Sequence, residues 1–599
     1  MPLLLAPVLF SRRAHAEPRS LTGAYSEYET QAIRDAEVKL VAKIDPAPEG
    51  KTIERIDFVR LDPIDARDPL PKQMSAVHTT SKEHVLRRNL LVTEGQNWNG
   101  IAVDESARIL RRLPQLSLVL CVAMRGSAAD RVRLVVVTKD VWSLYVDFDL
   151  AVTSGGLESL TLEPKESNIG GLHHAALGRF VLEPKAMTFG AGYKIPRAAL
   201  SGNARQLVLS VDANAMIDRA NGALEGVYGS ATAERPLFSS RTEWAWSAST
   251  TFGNRLRRRY VNAEVARFVP PDAPAGAAGV PWVWRERSVG QQLKVTRSFG
   301  WETKNDVSLG AFYTHARYTL PDALRDTRSG DGSTLDPGAS TVFVRAALPT
   351  GEDRAGPFLQ WHGYSSDFLR TFDLGTLGLQ EDHRLGHDLW LRVYPVLRAF
   401  GSTRDLFGAY AGAAYGVAMG DGLARASIES TVEAEPERVA DASVKGSVAI
   451  VTPRIGIGRL FFGVSGLYRF VNYMNAQSYL GGDTLFRGYP SRWLAGKDVV
   501  TSNLEYRTRS FEITSIEIGG AAFYDAGDAF DGCHRFDPKQ SVGVGLRLVF
   551  PQIDRAVLRF DVGVPISSEP RPADVPPVSF FVAFHHALAL PTVGDGRGP

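Results

Sequence analysis

Alternation with a period of two residues, sustained through the carboxyl-terminal part, is what most limits the folds open to this chain. Ser541–Phe550 places Val542, Val544, Leu546, Leu548 and Phe550 on one face, and Gly543, Gly545 and Arg547 on the other. Ala556–Ile566 does the same, setting Leu558, Phe560, Val562, Val564 and Ile566 against Arg559, Asp561 and Gly563. A strand with one apolar face and one small or charged face suits a wall between lipid and a wet lumen. The pattern predicts an outer-membrane β-barrel.

Composition is compatible with that reading. At 599 residues the chain is too long for one ordinary soluble core, so it holds several domains or one very large closed sheet. It is 44% hydrophobic, yet no apolar run reaches the roughly 18 residues of a membrane helix, which excludes helical spans. Its 56 glycines and 10% aromatics suit strands, turns and interfacial girdles. A net charge of +2 argues against a nucleic-acid partner. Cys121 and Cys533 read as isolated thiols. Residues 1–16 read as a signal peptide, an apolar run ending in Ala14-His-Ala16.

Residues 17–50 form a polar segment in which Glu27–Leu40 allows a short helix, ended by Pro46 and Pro48. From Lys51 the pattern sharpens. Ile53, Ile56 and Phe58 suggest a strand, and Ser81 caps a helix with Val85, Leu86, Leu90 and Leu91 as its stripe. Val103–Leu113 is a second helix stopped by Pro114, and β-rich runs follow at Leu116–Met124 and Val132–Thr138. Residues 51–141 thus make a small α+β domain.

Residues 142–590 are strand, turn, strand throughout, with 591–599 as a tail. Lipid-spanning strands of roughly 9–11 residues give about 16 strands over this length. The surplus strand candidates are expected to project beyond the membrane. Val269–Pro281 and Arg328–Ser333 read as extracellular loops. The Asp/Gly cluster at 330–332 lacks calcium-ligand spacing, so solvated loop is the preferred reading and no metal is expected.

One loop stands apart. Tyr479–Pro490 contains Phe486-Arg487-Gly488-Tyr489, preceded by Gly481-Gly482 and followed by five alternating strand candidates. Parity places Glu505 and Arg507 on one face of 503–507, and Phe523 and Asp525 on the lumenal face of 516–527. A guanidinium drawn into a barrel needs a carboxylate partner, and its planar fork fits one bidentately. Arg487 is therefore expected to meet Asp525, with Glu505 near, and to pin the loop inside the barrel. The alternative is an exposed loop arginine above two acids lining a wet pore.

With Phe486-Arg487-Gly488-Tyr489 in this context, the chain resembles the BamA/TamA superfamily of outer-membrane proteins. Resemblance implies that residues 51–141 are a single periplasmic POTRA domain and that Lys139–Leu144 is the junction into the barrel. It implies that the four residues are the family's hydrophobic-Arg-Gly-aromatic motif. It also implies that Val578–Leu588 is the last strand, read during membrane insertion, although residues 590–599 follow it where the family ends on an aromatic. The function implied is help in inserting barrels into the outer membrane, through the POTRA domain and a seam between the strands near 144–152 and 578–588. A polypeptide export pore of the two-partner type and a structural surface barrel are the alternatives. The implied partners are outer-membrane lipid, unfolded polypeptide cargo and periplasmic or lipoprotein partners. No G-x-S-x-G, H-E-x-x-H, P-loop or C-x-x-C pair is present, so neither catalysis nor a cofactor is expected.

Overall fold

The computed structural model describes residues 25–594 apart from 65–67, 69–70, 72–77, 154, 271, 274–278, 322–336, 567–571 and 573–574. The signal-peptide stretch and the Asp/Gly cluster at 330–332 lie outside the described residues.

The amino-terminal domain is built from α1 (Glu27–Leu40), β1 (Thr52–Leu61), α2 (Glu83–Arg87), α3 (Gly100–Arg111), β2 (Leu116–Arg125) and β3 (Arg131–Asp140). The sheet order is β1-β3-β2, with β1 parallel and β2 antiparallel to β3. The central strand is buried on both faces, which is why it reads as a nearly continuous aliphatic run. Val132, Leu134 and Val136 pack with Leu86, Val103 and Leu110 of α2 and α3. Val135 and Val137 pack with Tyr28, Ala32, Ile33 and Ala36 of α1. Glu27–Leu40 of the polar segment thus contributes a layer of the domain, because those four residues form one helical stripe. A capping box between Ser26 and Glu29 starts α1. α2 is shorter than its sequence pattern suggests: it ends before Leu90 and Leu91, and Lys82 rather than Ser81 stands at its N-cap. The Ser81 hydroxyl instead donates to Asp140 (2.8 Å) and lies 2.7 Å from His173.

The second part is a closed, antiparallel barrel. Its ring holds 21 strand elements, of which Phe511–Ile513 continues Asp498–Thr508 along the same neighbour, leaving 21 − 1 = 20 staves. The count of about 16 is therefore corrected. Many connections are as tight as residues 170–173 or 435–438, so strands placed beyond the membrane by sequence reasoning belong to the wall. Outward faces are apolar, as at Leu293, Leu309 and Val544, each more than 60% exposed. No helix among the described residues is long and apolar enough to cross a membrane.

The ring closes between Leu144–Thr153 and Ser579–Phe584 through three residue pairs, Phe580–Val152, Phe581–Ala151 and Val582–Leu150. The ladder on one side of this seam has ten pairs and that on the other has six. An edge-to-face contact of Phe148 with Phe584, centroids 5.5 Å apart, covers the seam further. The last strand ends at Phe584 rather than Leu588, since His585 takes a left-handed φ of 67° and turns the chain inward.

Candidate functional site

The loop between Gly458–Asn472 and Asp498–Thr508 descends into the lumen from the end opposite the amino-terminal domain. Its stem is a two-stranded ladder of Ser478–Leu480 with Leu494–Gly496. At the tip, Gly488 has φ of 101°, and a Cβ there would lie 2.8 Å from the Ser541 Cβ. Below it, a Cβ on Gly563 would meet the Gly488 nitrogen at 2.6 Å. These two glycines let loop backbone lie directly on wall backbone. The Ser579 hydroxyl donates to the Gly488 carbonyl (3.2 Å), and the Ser541 hydroxyl donates to that of Arg487.

Arg487 is fully buried at this contact. Its Nε and Nη2 donate to the two oxygens of Asp525 at 2.8 and 3.0 Å, and its Nη1 donates to Glu505 at 2.5 Å. The backbone N–H of Arg487 also donates to Asp525 (3.1 Å). The guanidinium lies over the Phe523 ring, 3.5 Å from its centroid. That ring occupies the space a side chain at residue 543 would fill, since a Cβ on Gly543 would sit 2.2 Å from it. Phe486 stacks on Tyr489 (4.6 Å, 9°), and Tyr489 on Trp493 (5.0 Å).

The ionic network extends beyond the residues singled out from sequence. Glu505 also accepts from Arg507 (2.6 Å). Asp561 accepts from Arg547 and Arg559, both at 2.7 Å, and lies 3.8 Å from Arg487. Arg559 reaches Asp483 of the loop at 2.6 Å. Asn503 ties the loop carbonyl of Leu485 (2.6 Å) to Asp525 (2.8 Å). Four arginines thus face four carboxylates, so the buried cluster is neutral and each charge has a partner. Parity alone put Arg547, Arg559 and Asp561 on the lumenal face, and that was the signal available for them. Among the described residues, no cluster of His, Cys, Asp or Glu is arranged to hold a metal ion.

Residues 473–582 match the model of the Omp85 superfamily domain. The chain carries an Omp85 superfamily domain. No curated protein matches the chain. Among solved structures it is similar to BamA from Haemophilus ducreyi lacking POTRA domains 1–3, at 12% identity over 96% of each chain, with a TM-score of 0.34. It is also similar to CdiB from Escherichia coli, at 12% identity over 95% of this chain and 85% of that one, with a TM-score of 0.41. The Omp85 match holds the whole Arg487 network and the last strand as far as Val582.

Two further segments of the barrel close the lumen from the end that carries the amino-terminal domain. Residues 366–385 join Asp353–Ser365 to Gly386–Val396 and carry a small hairpin, Phe368–Thr371 with Glu381–Arg384. Leu377 and Leu379 pack on Val549 and Val557, and Leu374 on Val451 and Phe461. The same loop holds the amino-terminal domain, through Arg111–Asp382 (2.7 Å), Arg370–Asp104 (3.2 Å) and a Gln380 amide donated to Glu29 (3.0 Å). Residues 585–594 follow the last strand inward. Arg507 donates to the Leu588 carbonyl (3.2 Å), and Gly594 donates to Glu429 (3.0 Å) and accepts from Tyr410 (2.9 Å).

Proposed function

We propose that this Omp85 barrel assists the insertion of β-barrel polypeptides into the outer membrane, working at its seam rather than through its lumen. The observation that carries the reading is the three-pair closure between the first and last strands. An incoming strand would pair with the edge freed there, an edge that lipid otherwise makes costly to expose. Residues 51–141 would act as a POTRA module, with α1 as an added layer. Its β2 edge is paired, among the described residues, only near its end, where Asp45 donates to Ala123 and Arg125 to Lys43. The remainder suits capture of an unfolded chain by β-augmentation. The reading assigns no catalytic chemistry to the protein. Its partners are then outer-membrane lipid and unfolded polypeptide, with periplasmic or lipoprotein partners recruited to the amino-terminal domain.

Export through the lumen is the second reading. It requires the Arg487 loop, residues 366–385 and residues 585–594 all to move. A disulfide between Leu150→Cys and Val582→Cys, opposite each other across the seam, separates the two. The background is Cys533→Ser, because Cys533 is exposed while Cys121 is largely covered. Locking the seam is expected to lower the levels of other outer-membrane barrels, with recovery on reduction. If a locked seam leaves those levels unchanged, the insertion reading fails. Should tethering the Arg487 loop alone then stop secretion of a passenger, the export reading replaces it.

A further inference from the structure

The outward face of three long strands, Trp244–Arg258, Val283–Phe299 and Thr303–Thr319, carries a feature that neither seam nor lumen uses. Outward parity on the middle strand runs from Phe299 and Arg297 through Val295, Leu293, Gln291 and Val289 to Arg287 and Arg285. From Phe299 to Arg287, at ~3.3 Å per residue and a tilt near 45°, the strand rises about 28 Å. That is close to the roughly 25 Å height of a barrel's apolar band. Phe299 belongs to an exposed aromatic rim with Trp244 and Trp301, where the chain turns back at the periplasmic side. Arg285 and Arg287 therefore stand at the headgroup level of the outer leaflet.

Their electrostatics are unusual for a wall. Arg287 lies directly opposite Arg317 in the ladder, both outward, an arrangement in which like charges repel. Arg317 is paired with Asp353 (2.7 Å), which also bonds His315. Arg285 donates to the Asn254 side chain (3.2 Å) and the Glu225 carbonyl (3.1 Å), neither an anion. The acids close by are engaged elsewhere: Glu286 with Arg255 and Arg257, and Glu225 with Arg258. Among the described residues, Arg285 and Arg287 have no carboxylate partner.

Directly below lies a concave groove of about 800 Å³ on the same outward face. Its floor is shallow because Ala231, Ala233, Ala248 and Ala311 are aligned across adjacent strands, and Tyr193, Leu293 and Tyr313 stand along it. Its upper end at Tyr313 is four residues, about 13 Å, beneath Arg317.

We propose that this face is a binding site for a phosphorylated, multiply acylated lipid of the outer leaflet. Arg285, Arg287 and Arg317 take its phosphate, and the alanine-floored groove takes an acyl chain. Phosphate supplies the anion that the arginine cluster lacks, through charge-assisted bonds, and a chain fills a depression that neighbouring side chains leave open. The inference rests on the barrel's placement in the membrane and is independent of seam opening.

Purified full-length protein in neutral detergent is titrated with hexa-acylated diphosphoryl lipid A, with its dephosphorylated form and with inorganic phosphate, and the thermal midpoint is followed. Lipid A is expected to raise the midpoint, and both controls to leave it unchanged. Arg285→Gln/Arg287→Gln, which breaks no ion pair, is expected to weaken the apparent affinity at least tenfold. Ala248→Trp, which fills the groove from outside, is expected to weaken it similarly with the arginines intact. Heat-modifiable migration on gels verifies that each variant is folded. Equal response to the dephosphorylated lipid, or an unchanged affinity in the arginine variant, overturns the phosphate site. An equal response to inorganic phosphate, or no effect of Ala248→Trp, overturns the acyl groove.

Discussion

Replacing Arg487 by alanine tests the buried network most directly, and the geometry sets the size of the effect. The substitution removes three side-chain hydrogen bonds and the stacking on Phe523. The two carboxylates do not suffer alike. Glu505 keeps Arg507 at 2.6 Å, whereas Asp525 keeps only uncharged donors, Asn503 at 2.8 Å and the backbone N–H of residue 487 at 3.1 Å. Removing one partner of a buried ion pair costs about 3–5 kcal/mol, and the retained bonds place this case near the lower end. If the cost is mainly a stranded Asp525, then Arg487→Ala/Asp525→Ala should be less destabilised than the two single variants summed, by about 2 kcal/mol. Loop release is read by Ser579→Cys in a Cys533→Ser background. Ser579 is fully buried beneath Gly488 and should become accessible to an impermeant maleimide only when the tip lifts. The parent should label slowly and the Arg487→Ala form rapidly. Additivity of the two single variants within about 0.5 kcal/mol, together with unchanged labelling, would refute the idea that this arginine holds the loop.

Three other perturbations probe the neighbouring contacts. Gly488→Val should destabilise the loop by about 1–3 kcal/mol, from a bulky side chain at positive φ and a clash with Ser541; detergent-phase thermal unfolding reads it, and a midpoint equal to the parent's counts against the close-approach argument. Deleting residues 585–599 should raise single-channel conductance in planar bilayers, because residues 585–594 cross the lumen to Glu429 and Tyr410; unaltered conductance means they do not obstruct it. Burial holds His173, in the turn at residues 170–173 beside Ser81 and Asp140, down at about 4. The unfolded chain then binds a proton below about 6.5 that the folded junction refuses, so the stability is complete above that pH and is lost as pH falls towards 4, up to ~3 kcal/mol. Hydrogen exchange at the junction should follow that window in the parent and flatten in His173→Gln.

Much of this architecture was legible because a barrel wall obeys a strict parity. Glu505, Phe523 and Asp525 could be placed in the lumen from alternation alone, and a buried guanidinium near them implied a carboxylate partner. What parity cannot supply is how far a loop descends, so it offered no ground for giving Arg487 a third carboxylate in Asp561. The strand count failed for a related reason, since a stretch of alternation looks the same inside the membrane and above it. The last strand was read four residues too long because Ala587 and Leu588 keep a strand-like pattern. What ends the strand is a left-handed His585, which nothing in the local sequence demands. Residues 366–385 did carry a signal. Leu374, Leu377 and Leu379 give a connecting loop more apolar weight than a solvated one would bear, and all three are buried.

The relative cost of opening the two routes follows from these contacts. Clearing the lumen means withdrawing Arg487 from its acids, at about 3–5 kcal/mol. It also means exposing the leucines of residues 366–385 and 585–594, each worth about 1.5–3 kcal/mol when fully buried. Opening the seam breaks the bonds of three residue pairs, at about 1 kcal/mol each in water and more where lipid offers no replacement. Under the insertion proposal an incoming strand would supply that replacement at once, its backbone pairing with the edge as it is freed. Nothing comparable compensates a stranded Asp525 in the lumen. A chain of contacts joins the amino-terminal domain to the Arg487 network: Glu29 accepts from Gln380, the adjacent Glu381 accepts from the Leu374 N–H, and the Leu374 carbonyl accepts from Arg507, which also donates to Glu505. The amino-terminal domain therefore lies at one end of a set of contacts whose other end fixes the loop, while the seam, with three residue pairs, remains the weakest section of the described wall.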